Sequence, residues 1–245
     1  MSTTSSQRIS FVSDLHLFSR RSRGEQFRDQ LLEESRKSDM IVLGGDIFDY
    51  RWSTFGCEHR TSEAAIRWLE DFTDAANCDV HFLMGNHDDH PYLIERLPGL
   101  ADRKARFFWD RYMLRVEDTV FMHGDVADRQ MTAACLAQAR SGFCHRPRPS
   151  WRHHLYDLAI QAQLHRLTPP AVYPKKRVAR RILGYLDSLN HGIDSGLKHV
   201  YFGHTHRPLD GYMYQNVAFH NCGAPIGRAQ FRILHRALPR SQGNS

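Results

Sequence analysis

Five short apolar runs along the chain end in clusters of Asp, His, Asn and Gly. The runs are Ile9–Val12, Met40–Leu43, Val80–Met84, Thr119–Met122 and His199–Phe202. We predict that each is a β-strand, and the wholly apolar Met40–Leu43 run is typical of a strand buried on both faces. Strand ends converge at one edge of a mixed α/β sheet, where ligands bind in such folds. We therefore expect the five polar clusters to form one site.

The segments between these runs predict helices and further strands. Apolar positions at helical spacing predict amphipathic helices over residues 24–37 and 61–76, and a short helix is expected from Pro91. Further strands are predicted at residues 106–109, 112–116, 211–221 and 229–234. Residues 127–197 are predicted to be mostly helical, with breaks at Arg146–Pro149 and at Pro169-Pro170.

The polar clusters supply seven side chains that can bind a metal ion. They are Asp14, His16, Asp46, Asn86, His123, His204 and His206. Imidazole nitrogens together with carboxylate and amide oxygens suit first-row divalent ions such as Mn²⁺, Fe²⁺, Zn²⁺ or Co²⁺. The set is too large for one tetrahedral zinc ion and fits two ions that share a bridging carboxylate. The sequence therefore predicts a site for two divalent metal ions.

The motifs are more specific together, in their order along the chain, than any one of them is alone. Asp14-x-His16, Gly45-Asp46-x-x-Asp49, Gly85-Asn86-His87-Asp88, His123 and Gly203-His204-x-His206 follow one another along most of the chain. This series resembles the calcineurin-like metallophosphoesterases. The resemblance implies an α/β fold, an αββα sandwich of two mixed sheets flanked by helices. Residues 1–245 are expected to form a single domain of this kind.

The same resemblance implies a role for each motif residue. One ion would be held by Asp14, His16, Asp46 and His206, and the other by Asp46, Asn86, His123 and His204. Asp46 would bridge the ions, and a hydroxide between them would attack phosphorus in line. His87 would bind phosphate or protonate the leaving oxygen, with Asp88 orienting its ring.

Four residues in or beside these motifs have less specific expected roles. Asp49 and Asp125 are expected either to orient a ligand or to cap a loop. Asp89 is expected to be the N-cap or a first-turn acid of the helix that follows it, and His90 is expected at the surface or the rim.

Charge is distributed unevenly along the 245 residues, whose formal net charge is +6. Residues 127–198 contain twelve Lys or Arg and four Asp or Glu, a balance of +8, and the rest of the chain has a balance of −2. Such a segment indicates an anionic partner. We predict that residues 127–198 form a helical, basic lid inserted in the domain. Its candidate substrate-binding residues are Arg129, Lys175, Arg177, Arg180 and Arg181.

The insert also narrows the resemblance to a subfamily. Together with Ser13-Asp14-Leu15-His16-Leu17 and Gly45-Asp46-Ile47-Phe48-Asp49-Tyr50, it looks like the UDP-2,3-diacylglucosamine hydrolases. That resemblance implies a lipid-linked pyrophosphate substrate of lipid A biosynthesis, release of UMP, two ions with Mn²⁺ as the first choice, and work at the inner face of the membrane. The chain departs from that subfamily in two places. The best-known branch has Arg at the position of His87, and the segment Val126–Met131 also differs from the expected one. The residues that bind lipid and uridine in that family are not recovered.

Two other functions are consistent with these residues. One is a phosphodiesterase or phosphatase acting on nucleotides or nucleic acid, with the basic insert on phosphates and aromatic rings stacked on bases. The rings in the insert are Phe143, Trp151, Tyr156, Tyr173 and Tyr185; Tyr50 and Trp52 are further candidates, though packing is their expected role. The other is a metal-binding scaffold without catalysis, which the complete set of motif residues argues against.

The location expected from the sequence is cytoplasmic. The first residues lack the apolar region of a signal peptide, and no apolar run reaches the roughly 18 residues that span a bilayer. Five cysteines without paired metal-site spacing indicate small buried residues in a reducing compartment. The basic amphipathic pattern of residues 175–189 adds an expected peripheral contact, with an anionic membrane or an anionic lipid.

Overall fold

The computed structural model describes residues 6–143, 173–227 and 229–239. Its strands are β1 (Ser6–Val12), β2 (Met40–Gly44), β3 (Asp79–Leu83), β4 (Phe107–Asp110), β5 (Met113–Val116), β6 (Thr119–Met122), β7 (His199–Phe202), β8 (Leu209–Tyr214), β9 (Val217–Asn221) and β10 (Leu234–Pro239). Its α-helices are α1 (Arg28–Ser35), α2 (Glu58–Ala75), α3 (Pro91–Ile94), α4 (Leu97–Arg103), α5 (Ala133–Gly142) and α6 (Lys175–Ser188). Short 3₁₀ turns lie at Gly24–Phe27, Asp125–Ala127 and Ile193–Ser195.

The strands form two sheets. The order in the first is β10-β1-β2-β3-β4, with β1 to β4 parallel and β10 antiparallel to β1. The order in the second is β5-β6-β7-β9-β8, with β6, β7 and β9 parallel and antiparallel strands at both edges. Because parallel strands end at the same edge, β1, β2 and β3 bring their following loops together, and so do β6 and β7.

Side chains alternate across β2, which is buried on both faces as predicted. Val42 lies in the apolar layer that also contains Phe11 of β1 and Phe121 of β6, so this layer joins the two sheets. Ile41 and Leu43 point to the opposite side, into a core shared with α1, α2 and α4. This alternation follows from the two-residue period of an extended chain.

The second sheet is covered on its outer face by α5 and α6. Leu136 of α5 and Ile182 of α6 belong to one core with Val120 and Val200 of the sheet. Helices therefore flank both sheets, and the predicted αββα sandwich is confirmed.

The apolar face of α6 is turned into the protein. Val178, Ile182 and Leu186 are each at most 3% exposed, whereas Lys176 and Arg180 on the basic face are exposed. A membrane contact by this helix would therefore use its charges and not its apolar side chains. None of the described helices has the length and apolar character that crossing a bilayer requires.

Several predicted boundaries were wrong. The strand predicted over 211–221 is divided into β8 and β9 by a turn at Gln215 and Asn216, whose φ angles of 49° and 61° are those of a tight hairpin. The strand predicted at 229–234 begins only at Leu234, because pairing with β1 determines where it runs. The helix predicted over 24–37 is a 3₁₀ turn followed by the shorter α1.

The prediction for the insert is tested only at its ends, where α5 and α6 are helical. Arg146–Pro149, Pro169-Pro170, Trp151 and Tyr156 lie outside the described residues. Among the described cysteines, Cys78 and Cys222 are buried as predicted, but Cys135 is exposed.

Candidate metal centre

The first group of ligands joins the loop after β1 to the loop after β7. His16 Nε2 lies 3.1 Å from His206 Nε2, which lies 3.3 Å from Asp14 Oδ1. Asp46 Oδ2, from the loop after β2, lies 3.9 Å from His16 Nε2. Atoms of Asp14, His16 and His206 all lie within 4.8 Å of one another, which is compatible with binding of one ion.

The second group draws on four strand ends from both sheets. His123 Nε2 lies 3.3 Å from Asp46 Oδ2 and 3.0 Å from Asn86 Oδ1. His204 Nδ1 lies 3.1 Å from Asn86 Oδ1 and 3.3 Å from His123 Nε2. Asp46 Oδ2 therefore faces both groups, which is the position of a bridging carboxylate.

The backbone at these ligands is in an unusual conformation. Among the described residues, five of the ten non-glycine residues with positive φ are candidate ligands. They are Asp14, His16, Asp46, His204 and His206. Non-glycine residues in this region are uncommon and cluster at functional sites.

Two glycines make room for the carboxylates. A Cβ atom on Gly85 would overlap the Asp46 carboxylate, and one on Gly203 would overlap the Asp14 carboxylate. The loops after β3 and β7 can therefore approach the ligands only with glycine at these positions.

The carboxylates favour positive charge at the centre. Burial lowers the pKa of His123, but Asp46 and Asp14 outweigh it and raise the value to about 10. Burial raises the pKa of Asp46, but His123 and His87 outweigh it and hold the pKa well below its usual range. Cations are thus stabilised here, and the nitrogen and oxygen donors suit divalent first-row ions.

His87 lies beside the first group. Its ring centroid is 4.9 Å from that of His16, its backbone N–H donates to Asp46 Oδ1 at 2.8 Å, and its Nδ1 lies 2.9 Å from Asp49 Oδ1. Burial lowers the pKa of His87, but Asp49 and Asp46 raise it to about 9. His16, Asp46 and His87 are also close enough to form a third ligand combination, although Nδ1 of His87 is engaged by Asp49.

The sequence model of the family described as calcineurin-like phosphoesterase matches residues 7–208. The chain belongs to this family. It is accordingly a metal-dependent hydrolase, and its two ligand groups are suited to divalent ions. No curated protein matches the sequence. Among solved structures, the crystal structure of a dimetal phosphatase from Danio rerio is similar, with 12% identity, 96% of this chain and 99% of that chain covered, and a TM-score of 0.48.

The predicted role of Asp88 in this phosphoesterase was wrong. Asp88 Oδ1 accepts from the Gly85 backbone N–H at 2.5 Å, and Oδ2 accepts from that of Ile47 at 2.8 Å. Asp88 therefore ties the loop after β3 to the loop after β2. The ring of His87 is held instead by Asp49, which the loop after β2 carries next to it.

His90 and Asp89 also differ from prediction. His90 is buried, its ring stacks on Tyr50 with centroids 4.6 Å apart, and its Nδ1 accepts from the Tyr92 N–H at 3.3 Å. His90 is thus the N-cap of α3, the role expected of Asp89. Tyr50 is buried with its hydroxyl 2.7 Å from Ser62 Oγ, so it packs in the core as expected.

Asp89 and Asp125 are joined by Arg140 of α5. Arg140 is only 1% exposed, and its Nε and Nη2 donate to the two oxygens of Asp125 at 2.8 and 3.0 Å. Its Nη1 donates to Asp89 Oδ2 at 3.3 Å, and Arg111 donates to both oxygens of Asp89 at 2.9 and 2.8 Å. This cluster links the loops that follow β3 and β6 to one helix of the insert.

Asp128 is a residue of the site that the sequence reasoning missed. Its Oδ1 lies 2.7 Å from His204 Nε2 and accepts from the Tyr173 hydroxyl at 2.6 Å. Since Nδ1 of His204 faces the second ligand group, Asp128 is placed to fix the orientation of the ring. No recognised motif contained this residue, and only its position five residues after His123 related it to the site.

The five basic residues predicted to bind substrate all belong to the insert, residues 127–198. Arg181 donates to the carbonyls of Ala127 and Asp128, both at 2.6 Å, and so ties α6 to the loop after His123. The other four are exposed: Arg129, Lys175, Arg177 and Arg180. None of the five is among the described residues lining the cleft beside the first ligand group.

Proposed function

We propose that this phosphoesterase uses two divalent ions, with Mn²⁺ as the cellular metal, to hydrolyse a UDP-2,3-diacylglucosamine-type pyrophosphate to UMP and a lipid phosphosugar. The observation that carries the dinuclear chemistry is the position of Asp46 Oδ2, 3.9 Å from His16 Nε2 and 3.3 Å from His123 Nε2. The motif sequences around Asp14 and Asp46 and the basic insert support the substrate.

Bound divalent ions would lower the pKa of water towards about 7 and neutralise charge on the phosphoryl oxygens. The protein contributes an ordered set of ligands and one histidine that remains available for substrate. With Nδ1 of His87 engaged by Asp49, its Nε2 is left to bind a phosphoryl oxygen or to donate a proton to the leaving oxygen. Asp128 holds His204 in the second ligand group.

The exposed basic face of α6 supports an anionic partner for the whole protein. Lys176 and Arg180 are exposed on this face. We infer a cytoplasmic protein that contacts the anionic inner face of the membrane through these charges, close to a lipid-linked substrate. The same charges suit nucleic acid, which keeps a nucleotide or nucleic-acid phosphodiesterase as the second candidate.

A substrate panel tests the proposal. The protein loaded with Mn²⁺, Zn²⁺ or Mg²⁺ is incubated with UDP-2,3-diacylglucosamine, bis(p-nitrophenyl) phosphate and single-stranded DNA. We expect UMP from the first substrate, fastest with Mn²⁺. Cleavage of DNA without release of UMP would favour the second candidate, and no hydrolysis with any metal would leave a metal-binding scaffold.

A further inference from the structure

None of the seven candidate ligands lies in the loop after β9, yet the end of this strand contacts two of the loops that carry them. β9 is paired with β7 in parallel, so both strands end at the same edge of the second sheet. Asn221 Nδ2 donates to the Gly203 carbonyl at 2.8 Å and to Thr205 Oγ1 at 3.3 Å. The end of β9 is thus fixed to the loop that carries His204 and His206.

Cys222, the next residue, contacts the loop after β1. The Ser13 backbone N–H donates to Cys222 Sγ at 3.3 Å, and Sγ lies 3.0 Å from Ser13 Oγ. Both residues are fully buried. Since β1 belongs to the first sheet and β9 to the second, this contact joins the two sheets beside the metal centre.

The hydroxyl of Ser13 is bonded to a metal ligand. Ser13 Oγ donates to Asp14 Oδ2 at 2.5 Å. An ionised carboxylate only accepts, so the single hydroxyl hydrogen lies on this bond, and Ser13 Oγ can only accept from the Cys222 thiol. A Cβ atom on Gly203 would overlap both Ser13 Oγ and Asp14 Oδ2, so the loop after β7 packs directly on this contact. Thiol, hydroxyl and carboxylate therefore form one buried chain.

The two oxygens of Asp14 consequently have different surroundings. Oδ2 accepts from the Ser13 hydroxyl and from the His204 N–H at 3.0 Å. Oδ1 accepts from the same N–H at 2.9 Å and lies 3.3 Å from His206 Nε2, in the first ligand group. Asp14 also has a φ of 56°, a conformation that persists only where surrounding contacts hold it.

We propose that Ser13 is a positioning residue for the metal ligand Asp14, and that Cys222 holds Ser13 in this role. The hydroxyl fixes the carboxylate with Oδ1 towards the first ligand group, so less side-chain freedom is lost when an ion binds. This inference rests on the metal binding of the proposed function and is independent of its substrate.

The test is the affinity for metal. Titration calorimetry of the metal-free protein with Mn²⁺ should give two binding steps. His16→Ala removes a ligand of the first group and so identifies the step that belongs to this group. We expect Ser13→Ala to weaken that step by about 10- to 100-fold and to leave the other within about threefold of the wild type. The absorption bands of bound Co²⁺, which report ligand geometry, should also change.

Ser10→Ala is the matched control, because Ser10 is an equally buried serine of the same strand whose hydroxyl contacts Ser38 and His235 instead of a ligand. It should keep both binding steps and the Co²⁺ spectrum. Cys222→Ala should weaken the same step as Ser13→Ala, whereas Cys222→Ser keeps a donor to Ser13 and should retain most of the affinity. Thermal unfolding of each metal-free variant measures the cost to folding separately.

Wild-type affinity in Ser13→Ala would overturn the proposal, and so would an equal loss of affinity in Ser10→Ala. Wild-type affinity in Cys222→Ala would overturn the part assigned to the thiol. A wild-type protein that binds no ion would refute the proposed function together with this inference. Metal binding without release of UMP from UDP-2,3-diacylglucosamine would refute the proposed substrate alone, because the calorimetric affinities do not depend on turnover.

Discussion

At the scale of single residues, the metal centre stores backbone strain. Each non-glycine residue held at positive φ costs on the order of 1–3 kcal/mol. Hydrogen bonds between the loops offset this cost: the Asp14 N–H donates to the Gly45 carbonyl at 3.0 Å, and the His204 N–H donates to Asp14 Oδ1 at 2.9 Å. Hydrogen bonds of the folded chain therefore help to hold these ligands in position.

The pairing of His87 with Asp49 gives a prediction at the same scale. We expect Asp49→Asn to lower kcat by about 10- to 100-fold at saturating Mn²⁺, because the ring of His87 loses its partner. If Asp49 acts through His87 and not through His16, whose Nδ1 lies 3.4 Å from Asp49 Oδ2, the double variant with His87→Ala should be no slower than His87→Ala alone. The test compares kcat of the wild type, the two single variants and the double variant, with the metal content measured in each.

Asp88→Asn is the matched control for this cycle. Since Asp88 accepts from the Gly85 and Ile47 backbone, its effect should add to that of His87→Ala. The reverse pattern, with Asp88 coupled to His87 and Asp49 independent, would restore the role that the sequence suggested for Asp88.

At the scale of elements, one helix is anchored by a buried charge. Arg140 of α5 pairs with Asp125 after β6 and with Asp89 after β3, and its Nη1 also donates to the Arg111 carbonyl at 2.6 Å. The burial of Asp125 raises the pKa of its carboxyl, but Arg140 outweighs this and lowers the pKa. The insert thus contacts the core of the site through a charge cluster.

Removal of this charge should be costly. We predict that Arg140→Ala lowers the free energy of unfolding by about 3 kcal/mol or more, because the buried Asp125 loses both of its hydrogen bonds from Arg140 and the buried Asp89 keeps only Arg111. Arg67→Ala, on the exposed side of α2, should stay within about 0.5 kcal/mol of the wild type. Urea unfolding followed by circular dichroism measures both, and similar values for the two variants would contradict the anchoring role.

At the scale of the whole molecule, the centre connects the two sheets. Asp14, Asp46 and Asn86 follow strands of the first sheet, whereas His123 and His204 follow strands of the second. Bound ions would therefore add to the stability of the sandwich as well as to the chemistry. An ion at a free concentration 100 times its Kd stabilises the fold by about 2.7 kcal/mol.

Metal removal should consequently lower the melting temperature. From the size of the chain we expect a decrease of roughly 5–10 °C per ion between the Mn²⁺-loaded and the EDTA-treated protein. Asp46→Asn should lose most of this difference, since Asp46 faces both ligand groups. Asp102→Asn, at an exposed position, should keep it. Differential scanning calorimetry measures the melting temperature of each variant with Mn²⁺ and after EDTA treatment. An equal decrease in the two variants would contradict a site in which Asp46 faces both ligand groups.

Acid should destabilise the fold through the half-buried His220. Burial lowers the pKa of His220 to about 4, and its ring stacks on Tyr201 and lies near His199, Asp210 and Arg236. The unfolded chain takes up this proton near pH 6.5 and the folded chain only near pH 4, so stability is complete above about pH 6.5 and falls between these values. Unfolding measured from pH 7 to pH 4 should show a shallower decline in His220→Phe than in the wild type.

Much of the fold was predictable from the sequence because it depends on local pattern. The run from Met40 to Leu43 was predictable as a strand buried on both faces, because it contains no polar side chain that could face solvent. The seven candidate ligands were found because short motifs place them directly after strands, and the structure brings all seven together. The start of β10 was missed because its limits come from pairing with β1, more than 200 residues away in sequence.

The sequence by itself thus determined the family, the sandwich and the set of candidate ligands. Only the tertiary structure decided which residues support them: Asp49 and not Asp88 holds His87, and Asp128 meets His204. It also placed Arg21 and Arg51 in the cleft beside the first ligand group, whereas the charge balance of the sequence had pointed only to basic residues of the insert. The physical reason is that these contacts join loops distant in sequence, and their meeting depends on how the two sheets and their helices pack.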